Sequence, residues 1–231
     1  MKRLLSFVVI TSLFFTPLAN AAPKKPVVKS LKLLTTVGST DEFAGLVTSG
    51  KIIIVYGNKG DKSFAKALDL MGKELWNIEL DKASPSVATA ATVDSSGVIW
   101  LAGSTSLARA TPAPSPTASI LNPDKTNPVA DIFSTDLDAF SLWSLDPTTQ
   151  SLTQYTLQLT APILINSVAV DKNGITAVGS SGTIITSDLA GAFTKPIIVG
   201  TEATVFESVV KHADGSITVV GSSAETLGGK K

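Results

Sequence analysis

The chain has 231 residues, 19 Lys plus Arg against 19 Asp plus Glu, one histidine and no cysteine. That balance leaves no basic field to hold a nucleic-acid backbone, and the lack of cysteine excludes disulfides, thiolate metal sites and cysteine nucleophiles. A chain that folds without disulfides must rely on core burial, for which a length near 200 residues is sufficient.

The first element in chain order is MKRLLSFVVITSLFFTPLANAAPKK. Lys2 and Arg3 precede an apolar run from Leu4 to Phe15, followed by Pro17 and the small-residue triplet Ala19-Asn20-Ala21. This is the layout of a secretory signal peptide over residues 1–21, with cleavage expected after Ala21. The run is shorter than the roughly 20 residues a spanning helix needs, and nothing later is long and apolar enough to span a bilayer. The expectation is a secreted protein, extracellular or periplasmic, with no transmembrane anchor in the mature chain. Losing Lys2 and Arg3 leaves a formal balance of −2. Residues 22–39 contain VVKSLKLLTTVG and are expected to supply one strand ahead of a repeat domain over 40–231.

That domain repeats one phrase four times: FAGLVTSGKIIIVYGNKG from Phe43, TAATVDSSGVIWLAGSTS, SVAVDKNGITAVGSSG from Ser167, and ESVVKHADGSITVVGSSA. Each copy has an alternating arm, a turn ending in glycine (Gly50, Gly97, Gly174, Gly215), a β-rich arm and a closing glycine (Gly57, Gly103, Gly179, Gly221). The two glycines lie 7, 6, 5 and 6 residues apart, which leaves room for one short strand, so the unit is a hairpin. VDSSG, VDKNG and HADG place Asp before Gly as a tight turn requires, because Asp bonds its own backbone and Gly accepts positive φ. DKNG also matches part of a calcium loop, but one carboxylate cannot supply six or more oxygen ligands.

Closing glycines recur at intervals of 46, 76 and 42 residues. Two intervals match a four-stranded propeller blade of roughly 40–50 residues. The excess in the middle one falls on Ser104–Thr135, which holds five prolines and four charged residues and reads as an insert without a core of its own. Two outer strands per blade are expected in DKSFAKALDLMGKELWNIEL and DAFSLWSLDPTTQSLTQYTLQL, where Asp61 and Asp69, and Asp138 and Asp146, stand eight apart ahead of a turn. The first segment also has helix-favouring composition, but Gly72 interrupts it and its counterpart contains Pro147.

At these residues the chain resembles secreted bacterial β-propeller repeat proteins. Asp61, Asp69, Gly72 and Trp76 follow the order of residues in such blades, and AVGSSGTIITSDLAGAFTK is similar to the Asp-box hairpin of sialidase-like propellers through Thr186, Asp188, Gly191 and Phe193. It departs by one inserted residue and by Phe193 standing where tryptophan is usual. The resemblance implies fold, since the box is a structural turn in those families, and fold does not fix function.

Candidate chemistry is sparse. His212 lies in the last hairpin turn and reads as a turn residue rather than a base; with one histidine and no cysteine, a zinc site of the usual ligands is not expected. No GxSxG elbow is present, and VGSSG and AGSTS do not continue as a phosphate loop. Paired carboxylates for glycoside cleavage leave no local signature, yet Asp69, Asp94, Asp146, Asp171, Asp188 and Asp214 all read as turn aspartates. Arg109, inside the insert, is the single arginine of the mature chain, which argues against a sialidase-like anion site. Trp76, Trp100 and Trp143 fall in expected strands, where packing between sheets is their ordinary role.

The reading is an all-β, β-propeller-like array of about four four-stranded blades, the last incomplete. Its function is that of a non-catalytic exported binding or scaffold protein with an unidentified protein or glycan partner. No catalytic, cofactor-binding or metal residues are assigned. A glycan-active enzyme, glycosidase or lyase, using Asp or Glu residues is the alternative. The incomplete last blade leaves strand edges open to self-association.

Overall fold

The computed structural model describes residues 41–107 and 137–227. The expected signal peptide, the strand expected within 22–39, residues 108–135 of the insert and residues 40, 136 and 228–231 of the repeat domain lie outside the described residues. Everything else in the repeat reading falls within them.

Fourteen strands and no helix are found among the described residues. β1 (Asp41–Ser49), β2 (Ile52–Lys59), β3 (Lys62–Leu68) and β4 (Glu74–Glu79) form the first sheet. β5 (Ser86–Val93), β6 (Ile99–Thr105), β7 (Ala139–Leu145) and β8 (Leu152–Gln158) form the second. β9 (Ile165–Asp171), β10 (Gly174–Gly179), β11 (Thr183–Ser187) and β12 (Ile197–Ile198) form the third, and β13 (Thr204–Lys211) with β14 (Ile217–Ser223) a two-stranded fourth. Every pairing joins consecutive strands in antiparallel fashion. The four repeated phrases are β1–β2, β5–β6, β9–β10 and β13–β14. The helix-favouring segment after the first hairpin is β3 and β4: alternation sends Ala65 and Ala67 into the core on one face and buries Phe64 and Leu68 on the other, in a sheet that already has an edge to extend.

The closing glycine has a physical cause. In each hairpin the first strand carries a one-residue bulge opposite it, at Ala44, Thr89, Asn166 and Glu207. The bulge drives the backbone of the first strand into the second. A Cβ on Gly103 would overlap the carbonyl oxygen of Val87, and Gly57, Gly179 and Gly221 meet Glu42, Leu164 and Val205 in the same way. Only glycine fits.

β1 packs on β5, β5 on β9 and β9 on β13, so the first strand of each sheet lies innermost in a series. Period-2 alternation sends the residues one and three before the closing glycine toward the next sheet, and those two and four before it toward the preceding one. Tyr56 and Ile54 therefore meet Leu101 and Ile99, joined by Trp143 and Leu145, in a first core between sheets. Ala102 and Trp100 meet Ala177 and Ile175, joined by Phe140, Leu142, Ile165 and Ile185, in a second.

Two boundaries differ from the sequence reading. β6 runs through Thr105, so Ser104 and Thr105 at the head of the insert are buried strand, held by pairing with Phe140 and Ala139. The outer strand of the third sheet is only Ile197–Ile198, because Pro196 has no N–H to donate to the ladder.

Candidate functional site

Consecutive antiparallel pairing sorts the connections onto two rims. Within-hairpin turns (β1–β2, β3–β4 and onward to β13–β14) share one, and the connections β2–β3, β4–β5, β6–β7, β8–β9, β10–β11 and β12–β13 share the other.

The turn rim is built by aspartate. Asp69 Oδ1 accepts the N–H groups of Met71 and Lys73 at 2.8 and 2.9 Å. Asp94 accepts from Ser96 and Val98 at 2.9 and 3.0 Å, and its second oxygen accepts from Trp100 Nε1 at 3.0 Å. Asp188 accepts from Ala190 and Ala192 at 2.9 and 2.8 Å. Asp146, Asp171 and Asp214 cap their turns from Thr148, Asn173 and Ser216. Hydrogen bonds from Thr148, Thr149 and Ser216 hold the carboxyls of Asp146 and Asp214 below the usual range, as Lys211 and Asn173 do for Asp171. The carboxylates of Asp146, Asp171 and Asp214 are thus ionised acceptors engaged by their own turns, a poor starting point for a general acid. Gly191 takes φ 84° in the Asp188 turn, and Phe193 bridges back to Ser187 while packing edge-on against Phe140 at 5.6 Å. Thr186, Asp188, Gly191 and Phe193 therefore act together as a structural turn.

His212 sits at that rim with Nε2 2.7 Å from Thr218 Oγ1. Trp76, Trp100 and Trp143 lie in β4, β6 and β7; Trp100 and Trp143 are buried, and Trp100 stacks on Tyr155. Arg109 lies outside the described residues. Among the described residues no three His, Asp or Glu side chains gather as metal ligands.

The loop rim contains the residues that sequence reasoning missed. Asp81, in the β4–β5 connection, is 6% exposed. One oxygen accepts the N–H groups of Ala83 and Ser84 at 3.0 Å, and the other accepts Thr105 Oγ1 at 2.6 Å and Gln154 Nε2 at 2.9 Å. Burial pushes its carboxyl up, but the donors from Thr105, Gln154, Ser84 and Ala83 outweigh it and hold the group below the usual range. It is a fixed anion that pins a loop and the end of β6 to β8. Above it opens a cleft of about 270 Å³ lined by Asp81, Ser84, Thr105, Ser106, Gln154 and Thr156. Leu107 N, at the point where the chain leaves toward residues 108–136, is held 3.1 Å from Asp138 Oδ1, so both ends of that connection are clamped together beside the cleft. The sequence signal was an acid at the end of a strand two residues before Ala83 and three before Ser84, the spacing of a side-chain-capped turn.

A second cleft, of about 490 Å³, lies on the turn rim between the third sheet and the last hairpin, with Thr186, Asp188, Thr194, Lys211 and Ile217 in its walls. Lys211 Nζ is occupied there by Asp171 Oδ1 at 2.6 Å and the Gly174 carbonyl at 2.7 Å.

No protein-family model matches the chain, and no curated protein matches it in sequence. Solved structures do resemble it in fold. One is a protein of unknown function from Bacteroides caccae, with a TM-score of 0.51 at 10% identity, covering 80% of this chain and 55% of that one. The RRP9 WD40 repeats give 0.49 at 9% identity over 79% of this chain and 52% of theirs. The Neurospora crassa Pan2 WD40 domain gives 0.43 at 11% identity over 77% and 46%. The chain spans about half the length of the proteins it matches. At these identities the likeness is one of fold: an all-β, propeller-like array whose last sheet has two strands.

Proposed function

We propose that this is an exported, non-catalytic binding or scaffold protein whose partner docks on the loop rim, over the cleft above Asp81. One observation carries the reading: the two rims are built differently. On the turn rim the backbone donors are taken up locally by turn aspartates. On the loop rim a buried anion holds a polar cleft rigid, with Ser106, Gln154 and Thr156 at its surface and the ends of the longest connection clamped beside it. Loops held on a rigid sheet scaffold are where binding residues concentrate. Export rests on residues 1–21, and the protein recovered outside the cytoplasm is expected to begin at Ala22 by mass spectrometry.

The test is a screen of residues 22–231 against cell-surface polysaccharides, cell-wall fragments and envelope proteins, with binding and turnover both recorded. Saturable binding weakened by Gln154→Ala and Thr156→Ala, without turnover, is expected. Turnover abolished by substitution of one Asp or Glu would establish the glycan-active enzyme instead.

A further inference from the structure

We propose that the two uncovered faces at the ends of the array cover each other between two copies of the chain, closing a ring. The register rule identifies both faces. In the last hairpin Val219 and Ile217 turn toward the third sheet, so Val220 and Thr218 turn away, together with Val210, which pairs with Thr218. Val220 and Val210 are 60% and 52% exposed. On the first sheet, Ile53 and Val55 occupy the positions that Ile99 and Leu101 occupy on the second and Ile175 and Ala177 on the third. Leu46, paired with Val55 on that face, is 64% exposed.

The chain thus carries, at its first sheet, the kind of surface that covers a preceding hairpin elsewhere in the same molecule, and at its last hairpin a face with no described residue packed over it. The exposure of Leu46, Val210 and Val220 shows that, among the described residues, the two faces do not meet within one copy. A second copy supplies each with its complement at once. Two arrays of three sheets and a hairpin give eight positions around an axis, within the roughly 4–8 blades of known propellers. The contact is head-to-tail, so it produces a closed pair only if the arcs match and a filament otherwise. Forming both junctions together makes the second one intramolecular, which strengthens the pair beyond either contact alone.

Light scattering on residues 22–231 at micromolar concentration tests this. Twice the mass of one chain is expected. Leu46→Lys and Val220→Glu, each checked for an unchanged circular dichroism spectrum and cooperative melting, should each give a single-chain mass. An equimolar mixture of the two should return to the two-chain mass, since one junction is then unaltered and the other sets the introduced ammonium against the introduced carboxylate. A wild-type monomer overturns the proposal. So does a ladder of larger masses, which means contact without closure, or a pair that survives both substitutions, which means another surface.

Discussion

The junction between the second and third sheets and the junction between the third sheet and the last hairpin use the same register with different side chains. The first brings Trp100, Phe140, Leu142, Ile165, Ile175 and Ile185 into one apolar cluster. The second has Val209, Val178, Thr176 and Thr204 as its buried residues, with the Lys211–Asp171 pair at its rim. Bulge side chains latch both: Thr89 Oγ1 donates to the Ile165 carbonyl at 2.6 Å, and Asn166 Nδ2 donates to Phe206 at 2.9 Å. Repetition of the bulge therefore sets where a sheet lies, and side-chain size sets how firmly it is held.

The largest contrast should come from truncating the apolar contacts. Phe140 is 1% exposed and Val209 6%. Phe140→Ala should cost about 3–5 kcal/mol. Val209→Ala removes two methyl groups' worth of burial and should cost about 1–2 kcal/mol. Chemical denaturation of both variants checks this, and equal costs would mean that the two junctions are equally consolidated.

Next come the closing glycines. Gly103→Ala and Gly221→Ala place a methyl against the same kind of carbonyl, Val87 and Val205 respectively. Overpacking of this sort costs about 1–3 kcal/mol, occasionally more. In β6 the penalty should lower the melting of the whole array, since that strand is buried along its length. In β14, almost wholly exposed, it should instead show as lost amide-exchange protection confined to residues 204–223. A global shift from Gly221→Ala would show that the hairpin unfolds with the rest.

Asp81 has no buried counterpart among the described residues of the last junction, where the half-buried Glu225 accepts from Thr201 N and Thr204 Oγ1 instead. The folded carboxyl of Asp81 is depressed, so its contribution is complete above the ordinary aspartate value of about 3.9 and is lost as pH falls through the lower folded value. Asp81→Asn keeps the shape but turns an acceptor into a donor facing donors, and should cost about 1–3 kcal/mol at neutral pH. The variant should also have a flatter acid limb in its stability profile than the wild type. An unchanged limb would assign acid sensitivity to the turn aspartates.

The hairpins, the fourteen strands beyond residue 40 and the turn aspartates were legible in the sequence because each depends on local chemistry: alternation, Asp-Gly turns and one glycine per bulge. The cleft over Asp81 was not. Asp81, Thr105 and Gln154 are drawn from three strands' ends, and what joins them is the stacking of one sheet on the next, which leaves no short-range spacing. Trp143 was expected in a core and lies there fully buried, yet its Nε1 has no hydrogen-bond partner among the described residues, which a sequence cannot disclose. The short β12 was readable only in retrospect, from Pro196.

The smallest effect belongs to the pair that stands where the last junction lacks apolar bulk. Lys211 is 10% exposed in its side chain and Asp171 22%, so the pair is partly screened and Lys211→Met should cost only about 1 kcal/mol, near the upper end for surface pairs. The hydrogen bond from Lys211 is the main cause of the lowered Asp171 carboxyl. Removing it leaves the Asn173 contacts and should move that carboxyl upward in an NMR titration, so that the stability it contributes fades at a higher pH than in the wild type. The double variant Lys211→Met with Asp171→Asn should recover part of the loss, because no unpaired anion then remains at the junction. If the Asp171 titration stays in place when Lys211 is removed, the cation does not set its ionisation, and the lowered Asp171 carboxyl is the work of the Asn173 contacts.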